Sequence, residues 1–382
     1  MIRFRFTDIT AAVVVMTASC VVCAQSARVH VVEWDLTQTI GSLELLEADR
    51  AAVLDDAGER TLIAPEDIAF IEFISTVGSS GSTGDIGEVT NGLLRLVNGT
   101  RYTGWAEVED DNFVWRNWWA GTVRPDLDEI TSFVEHGRNT PPYAATEDLV
   151  VLANGDRIDG LVLDIGENIE VERMDGKTVR MPIERVKSVA LVNPPQPSKG
   201  TRVWLLPGDE VPIESFRFDA GIGLRVGDHE SLLPGSITAI AFDVGSIMPL
   251  SSVESVVSEI DGSPRYRIPK PKISAGAWPL DAPWIEISGP LRAKWKLDSA
   301  GLGFVARAVL PSRARRFGIV RLVVLDGDKE LYSTKLDHRS PVADVAVRLP
   351  GDTLTIELRE EDGSPLQDTV RLERALLLEI RE

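Results

Sequence analysis

Cysteine is nearly absent: the chain has two, Cys20 and Cys23, both within its first 24 residues. A chain cleaved after Ala24 has none, so disulfide staples and thiolate metal sites are excluded from it. Histidine is scarce too. His30, His136, His229 and His338 are the only four, and none stands at metal-ligand spacing from another. No H-E-x-x-H, no P-loop and no strand followed by G-x-G-x-x-G occurs. The Gly78 to Gly84 stretch has serines but no G-x-S-x-G elbow, and reads as a linker. No pair of carboxylates is singled out for glycosidic hydrolysis. Long apolar runs are missing after residue 24, which leaves no further membrane-spanning helix to expect.

What is present is charge of one sign. The net charge is −19, from 40 Lys and Arg against 59 Asp and Glu. From Pro264 onward there are 20 basic and 17 acidic residues, so the first 263 residues carry −22. Such a surface repels phosphate backbones and argues against nucleic acid as a partner. The rest of the composition, 43% hydrophobic with mean hydropathy of −0.01, is that of a globular chain with real cores. A length of 382 residues implies two or three domains.

The N-terminus places Arg3 and Arg5 before an apolar run from Ile9 to Ala24 and a small-residue site at Val22-Cys23-Ala24. This is the pattern of a secretory signal peptide over residues 1–24. The chain is therefore expected to be exported, to the periplasm, the cell surface or the medium. No membrane span is expected after cleavage. An uncleaved anchor and lipidation at Cys20 are the competing readings.

One pattern then recurs. Its clearest copy is residues 148–193, in which an apolar strand runs into Asn154-Gly155. That pair marks a hairpin, because both residues tolerate positive φ. Gly160, an alternating Ile169/Val171 strand, the turn Asp175-Gly176 and a closing Val186/Val189 segment follow. Residues 93–136 repeat it, with Asn98-Gly99, Gly104, Phe113, Trp115 and Ile130 in the matching places. A third copy spans 201–244, with Pro207-Gly208-Asp209 as its turn, and a divergent one spans 29–76, with Gly41 matching Gly104. Each copy reads as about five short strands, and a unit of about 45 residues is marginal alone. The expectation is four tandem small β rolls of SH3-like or Sm-like form, packed side by side. Residues 245–274, rich in proline at Pro264, Pro269 and Pro271, read as a linker.

Residues 275–382 form the last domain. Gly301-Leu302-Gly303, Leu310-Pro311-Ser312-Arg313 with Arg316-Phe317, the hairpin Val320 to Tyr332 around Asp326-Gly327, and Leu354 to Leu358 followed by Asp362-Gly363 and Asp368 carry a family likeness. With these motifs the stretch from about Lys296 resembles the NPCBM/NEW2 family of carbohydrate-binding modules. The resemblance implies a galactose-binding-like β-sandwich (jelly roll) and carbohydrate as ligand. The family's late tryptophan is replaced by Leu372, and its early histidine has no counterpart near Phe304 and Val305. The whole reads as an all-β, exported, non-catalytic binding protein. The alternatives are an envelope scaffold that binds protein and, more remotely, a glycan hydrolase.

Tryptophans are the candidate contacts. Trp105, Trp115, Trp118 and Trp119 all fall in the second repeat. Alternation turns Phe113 and Trp115 inward and leaves Trp118 and Trp119 at a hairpin tip. There they either stack on sugar rings or pack on a neighbouring repeat. Trp278, Trp284 and Trp295 read as packing residues. No cofactor is expected. Asp326-Gly327-Asp328 and Glu360-Glu361-Asp362 could ligate calcium, but hairpin and loop geometry explain them better.

Overall fold

A computed structural model describes residues 27–74, 92–135, 146–220, 222–226, 232, 234–258, 270–274, 278–316, 318–361 and 368–381. The signal-peptide segment, the Gly78 linker stretch, His136 and His229 lie outside the described residues. The described chain is all-β, broken only by single turns of 3-10 helix.

Four units share one sequence of strands, although the third strand of unit 4, Phe216–Asp219, pairs with Leu45 and Leu46 of unit 1. Each opens on a strand (Ala27–Glu33, Gly92–Leu96, Asp148–Leu152, Arg202–Leu205) that pairs antiparallel with both the second strand and the last of its unit. Each closes through a 3-10 turn (Pro65–Asp67, Leu127–Glu129, Ile183–Arg185, Pro234–Ser236) into a fifth strand (Ile68–Phe73, Ile130–Val134, Val186–Ala190, Ile237–Ala241). The Asn-Gly and Asp-Gly turns form where expected. Asn98, Asn154 and Asp175 each accept the backbone N–H two residues on, and the following glycines sit at φ of +84°, +91° and +74°.

The recurring glycine of the second strand has a steric cause. In three units the strand bends there and the third strand crosses against it. A Cβ on Gly41, Gly104 or Gly160 would lie 2.4, 1.8 or 2.4 Å from the carbonyl oxygen of Leu54, Arg116 or Glu172. Phe113 and Trp115 point inward, buried against Phe133.

The units pair in a nested order, first with fourth and second with third. In both cases the fifth strands meet antiparallel: Ile71 lies opposite Ile240, and Phe133 opposite Val189. Each pair then shares one core. Val29, Leu43, Ile71, Val203, Phe218 and Ile240 belong to the core of units 1 and 4. Leu94, Trp115, Phe133, Val150, Ile169 and Val189 belong to that of units 2 and 3.

The C-terminal region is a β-sandwich of a six-stranded and a five-stranded sheet. They enclose a core that includes Trp295, Phe304, Leu322, Ile356 and Leu372. Part of the expected linker belongs to it. Ile247–Pro249 pairs with Leu376 to Leu378, and Ser255–Ser258 pairs with Arg292 to Trp295. Strands of three and four residues are too short to show a period-2 pattern, which is why this segment read as a linker. The hairpin at Asp326-Gly327 forms, with Asp326 Oδ2 accepting the Gly351 N–H at 2.6 Å. Trp295 is core, whereas Trp284 lies half-buried beneath the Arg371 guanidinium, 4.4 Å from its ring centre. The sandwich sits on units 1 and 4, where Val32, Trp34, Phe70, Trp204 and Ala239 pack on Val305, Leu376 and Leu378.

Replacing Gly160 with alanine puts a methyl group against a backbone carbonyl that cannot step aside. The expected cost is about 1–3 kcal/mol of unfolding free energy, read from the urea midpoint. A midpoint equal to wild type would disprove the close-approach account.

Candidate functional site

The hairpin of unit 2 that carries Trp118 and Trp119 is shaped by Asn117. Its Oδ1 accepts the backbone N–H of Trp119 and Ala120, at 2.9 and 2.6 Å, closing the turn between the strands Asn112–Asn117 and Gly121–Val123. Its Nδ2 donates to the Thr103 carbonyl and to Asp209 of unit 4.

Asp209 is fully buried. Its Oδ1 accepts the Thr103 N–H at 2.5 Å and the Thr103 hydroxyl at 2.9 Å, and its Oδ2 accepts the Trp118 indole N–H at 2.7 Å. Burial pushes its carboxyl above the usual range, against the pull of those four donors. Trp118 itself stays 47% exposed. Trp119 is half-buried against the core of units 1 and 4. The expected pair therefore separates: one ring keeps a face toward solvent and the other packs between units.

Next to Asp209 lies a buried cluster of opposite charges. Glu210 pairs with Arg101 at 2.8 Å and with Arg202 at 3.1 Å, and Arg101 also pairs with Asp281 at 2.5 Å. Arg101, Arg202 and Glu210 are all nearly inaccessible. Burial raises the Glu210 carboxyl and the Asp281 charge adds to this, while the two guanidinium groups oppose it. The cluster joins unit 2, unit 4 and the segment leading into the sandwich. None of these residues stood out in the sequence. Asp209, expected in the turn Pro207-Gly208-Asp209, instead opens the strand Asp209–Pro212, and the available signal was the charge of Glu210 and Arg202 within apolar strand segments.

A second polar junction lies between unit 1 and the sandwich. Arg374, at φ +50° in a bulge opposite Ala306, reaches across to Glu72 and donates to His30 Nδ1 at 2.9 Å. Since Arg374 can only donate, His30 carries its proton on Nε2, which donates to Gln38 Oε1 at 2.8 Å. Burial, reinforced by the Arg374 charge, lowers the His30 pKa to about 4. The cleft beside it, lined also by Phe70 and Arg307, encloses about 10 Å³, the space of a single water and too little for a sugar ring. Among the described residues no group of three or more His, Cys, Asp or Glu side chains is arranged to hold a metal ion. No described helix is long and apolar enough to cross a membrane.

No family model matches the chain, and no curated protein is significantly similar to it. Among solved structures, it is similar to CBM51 from Clostridium perfringens GH95 in complex with methyl-galactose. That match is 12% identical and covers 34% of this chain and 99% of that one, with a TM-score of 0.28. The tandem CBM51 modules of Sp3GH98 from Streptococcus pneumoniae match at 11% identity over 87% of this chain and 92% of theirs, with a TM-score of 0.28. CBM51-2 with the INT domains of Clostridium perfringens ZmpB, in complex with GlcNAc, matches at 11% over 69% and 44%, again with a TM-score of 0.28. Likenesses this loose carry no weight for function.

Two outcomes follow from the buried charges. Glu210→Ala leaves Arg101 and Arg202 buried without their shared carboxylate, which should cost about 3–5 kcal/mol in denaturant unfolding. A loss under 1 kcal/mol would show that the pairs are not buried. His30 titrates lower when folded than unfolded, so its contribution is present above its unfolded pKa near 6.5 and is lost as pH falls toward 4. Glu72, raised by burial, acts in the opposite sense. Wild type should therefore lose more stability than His30→Gln between pH 7 and pH 4, by up to about 3 kcal/mol, measured as the difference in unfolding free energy. Parallel pH profiles would refute the assignment.

Proposed function

We propose that this chain is an exported, non-catalytic binding protein that recognises carbohydrate through its C-terminal sandwich. In this reading the four N-terminal units are small β rolls of SH3-like or Sm-like form, the sandwich is a jelly roll of the NPCBM type, and Trp118 is an additional contact. The observation that carries it is the sandwich itself: the stretch bearing the family motifs builds two facing sheets with a core of its own. The carboxylates that converge at the unit junction support a non-catalytic role. Asp209 and Glu210 are buried and engaged by Thr103, Asn117, Trp118, Arg101 and Arg202, so they are committed to holding the units together.

A second reading, a scaffold that binds protein, is favoured by one surface. Unit 3 exposes Leu161, Leu163 and Met174, the last at 86%. Two lie on the strand Arg157–Ile165 and Met174 in a turn of the same unit, and exposed apolar side chains so gathered are common at protein contacts.

The two readings part in one experiment. The purified chain without residues 1–24 is incubated with a panel of insoluble polysaccharides and, separately, used to capture protein from an envelope extract. Retention on at least one polysaccharide, competed by its soluble oligosaccharide, is the expected result. No retention on any, with a specific protein captured instead, would reject carbohydrate recognition in favour of the scaffold.

A further inference from the structure

The exposed aromatic surface of the described chain is concentrated on one unit. Among the large apolar side chains that are clearly exposed, two are aromatic, Trp105 and Trp118, each at 47%, and both belong to unit 2. Trp105 lies within the strand Arg101–Glu109, not on a loop. Its indole N–H donates to Glu107 Oε1 at 2.8 Å. The other oxygen of Glu107 accepts Arg116 Nε at 2.6 Å, and Arg116 stands directly across the strand pair from Trp105. Arg116 also reaches Glu109 and the Thr122 hydroxyl, and Arg124 reaches Glu109. The ring is thus tied to Glu107 through its own N–H and is about half exposed.

The repeats supply an internal control. The position after the bending glycine of the second strand is Ser42 in unit 1, Trp105 in unit 2 and Leu161 in unit 3. Units that fold alike with serine or leucine there show that the strand order does not require the indole. Position and exposure fit a stacking plane, because an indole presents a broad apolar face at little entropic cost. The rim decides the class of ligand. Two carboxylates, Glu107 and Glu109, balance two guanidinium groups, Arg116 and Arg124. A balanced rim offers acceptors and donors to hydroxyl groups and favours neither an anionic nor a cationic sugar.

We infer that the outer strands of unit 2 form a saccharide-stacking site on Trp105, with Glu107 and Arg116 as its polar rim, for a neutral pyranose chain. The inference rests on carbohydrate recognition by this protein but places this contact on the repeats, apart from the sandwich. The test is calorimetric titration of the chain without residues 1–24 with neutral β-linked hexasaccharides of glucose, galactose, mannose and xylose, and with a galacturonate hexamer as the charged comparator. Trp105→Leu borrows the residue unit 3 uses at that position, and an unchanged thermal midpoint confirms its fold. At least one neutral hexamer should bind wild type about tenfold more tightly than Trp105→Leu, and more tightly than the galacturonate hexamer binds. Equal affinity of wild type and Trp105→Leu, or a preference for galacturonate, overturns the site while leaving carbohydrate recognition by the sandwich intact. Failure of wild type to bind any hexamer overturns the site and, together with failure on the polysaccharide panel, the carbohydrate reading as well.

Discussion

The rest of this structure depends on the antiparallel meeting of fifth strands. A five-stranded unit of this size has an exposed strand edge and too little core to stand alone. Joining two units through their fifth strands corrects both faults at once. In each pair the register centres on the fourth residue of the strand, Ile71 against Ile240 and Phe133 against Val189. Position three then lies opposite position five in both directions, which is the signature of a local two-fold. The symmetry lets one strand sequence pattern serve both sides, and it fuses two small cores into one.

Pairing in a nested order leaves a second problem, because the inner pair must be tied to the outer. The ties are polar. Asp209 gathers donors from Thr103, Asn117 and Trp118, and Glu210 bridges Arg101 and Arg202. Burying charges is costly, and such clusters gain less in stability than apolar packing of the same volume. What they add is geometry: Asp209 and Glu210 meet these partners in one arrangement of units 2 and 4. Among the described residues only one backbone pairing, Glu210 against Arg101, joins these units. The charges therefore carry an orientation that the sheet alone leaves loose.

Much of the local structure was legible in the sequence. Asn98-Gly99, Asn154-Gly155 and Asp175-Gly176 are turns whose chemistry is local, and the inward placement of Phe113 and Trp115 follows from alternation. Gly41, Gly104 and Gly160 were visible as a recurrence, although the cause, a crossing carbonyl, is a tertiary contact. The choice of partners was not legible. Four fifth strands of similar composition pair equally well on paper, and nothing in a period of two says that the first seeks the fourth. The roles of Trp118 and Trp119 were hidden for a related reason. Their neighbours are Asp209, 91 residues beyond Trp118, and the core of units 1 and 4, remote in the chain on either side, and no spacing rule connects them.

The seat of the sandwich can be traced to a few equivalent positions. At the third residue of the fifth strand, units 1 and 4 carry Phe70 and Ala239, while units 2 and 3 carry Ser132 and Ser188. Opposite these, on the first strands, stand Val32 and Trp204 in one pair and Arg95 and Val151 in the other. Only the first set offers an unbroken apolar face, and it is the one that packs on Val305, Leu376 and Leu378. Arg374 and Glu72 then close the margin of that contact. The other pair, with serines and an arginine at the same places, lacks the surface to compete for the sandwich. Substitutions at these positions, on an otherwise common framework, give one pair the task of carrying the C-terminal domain.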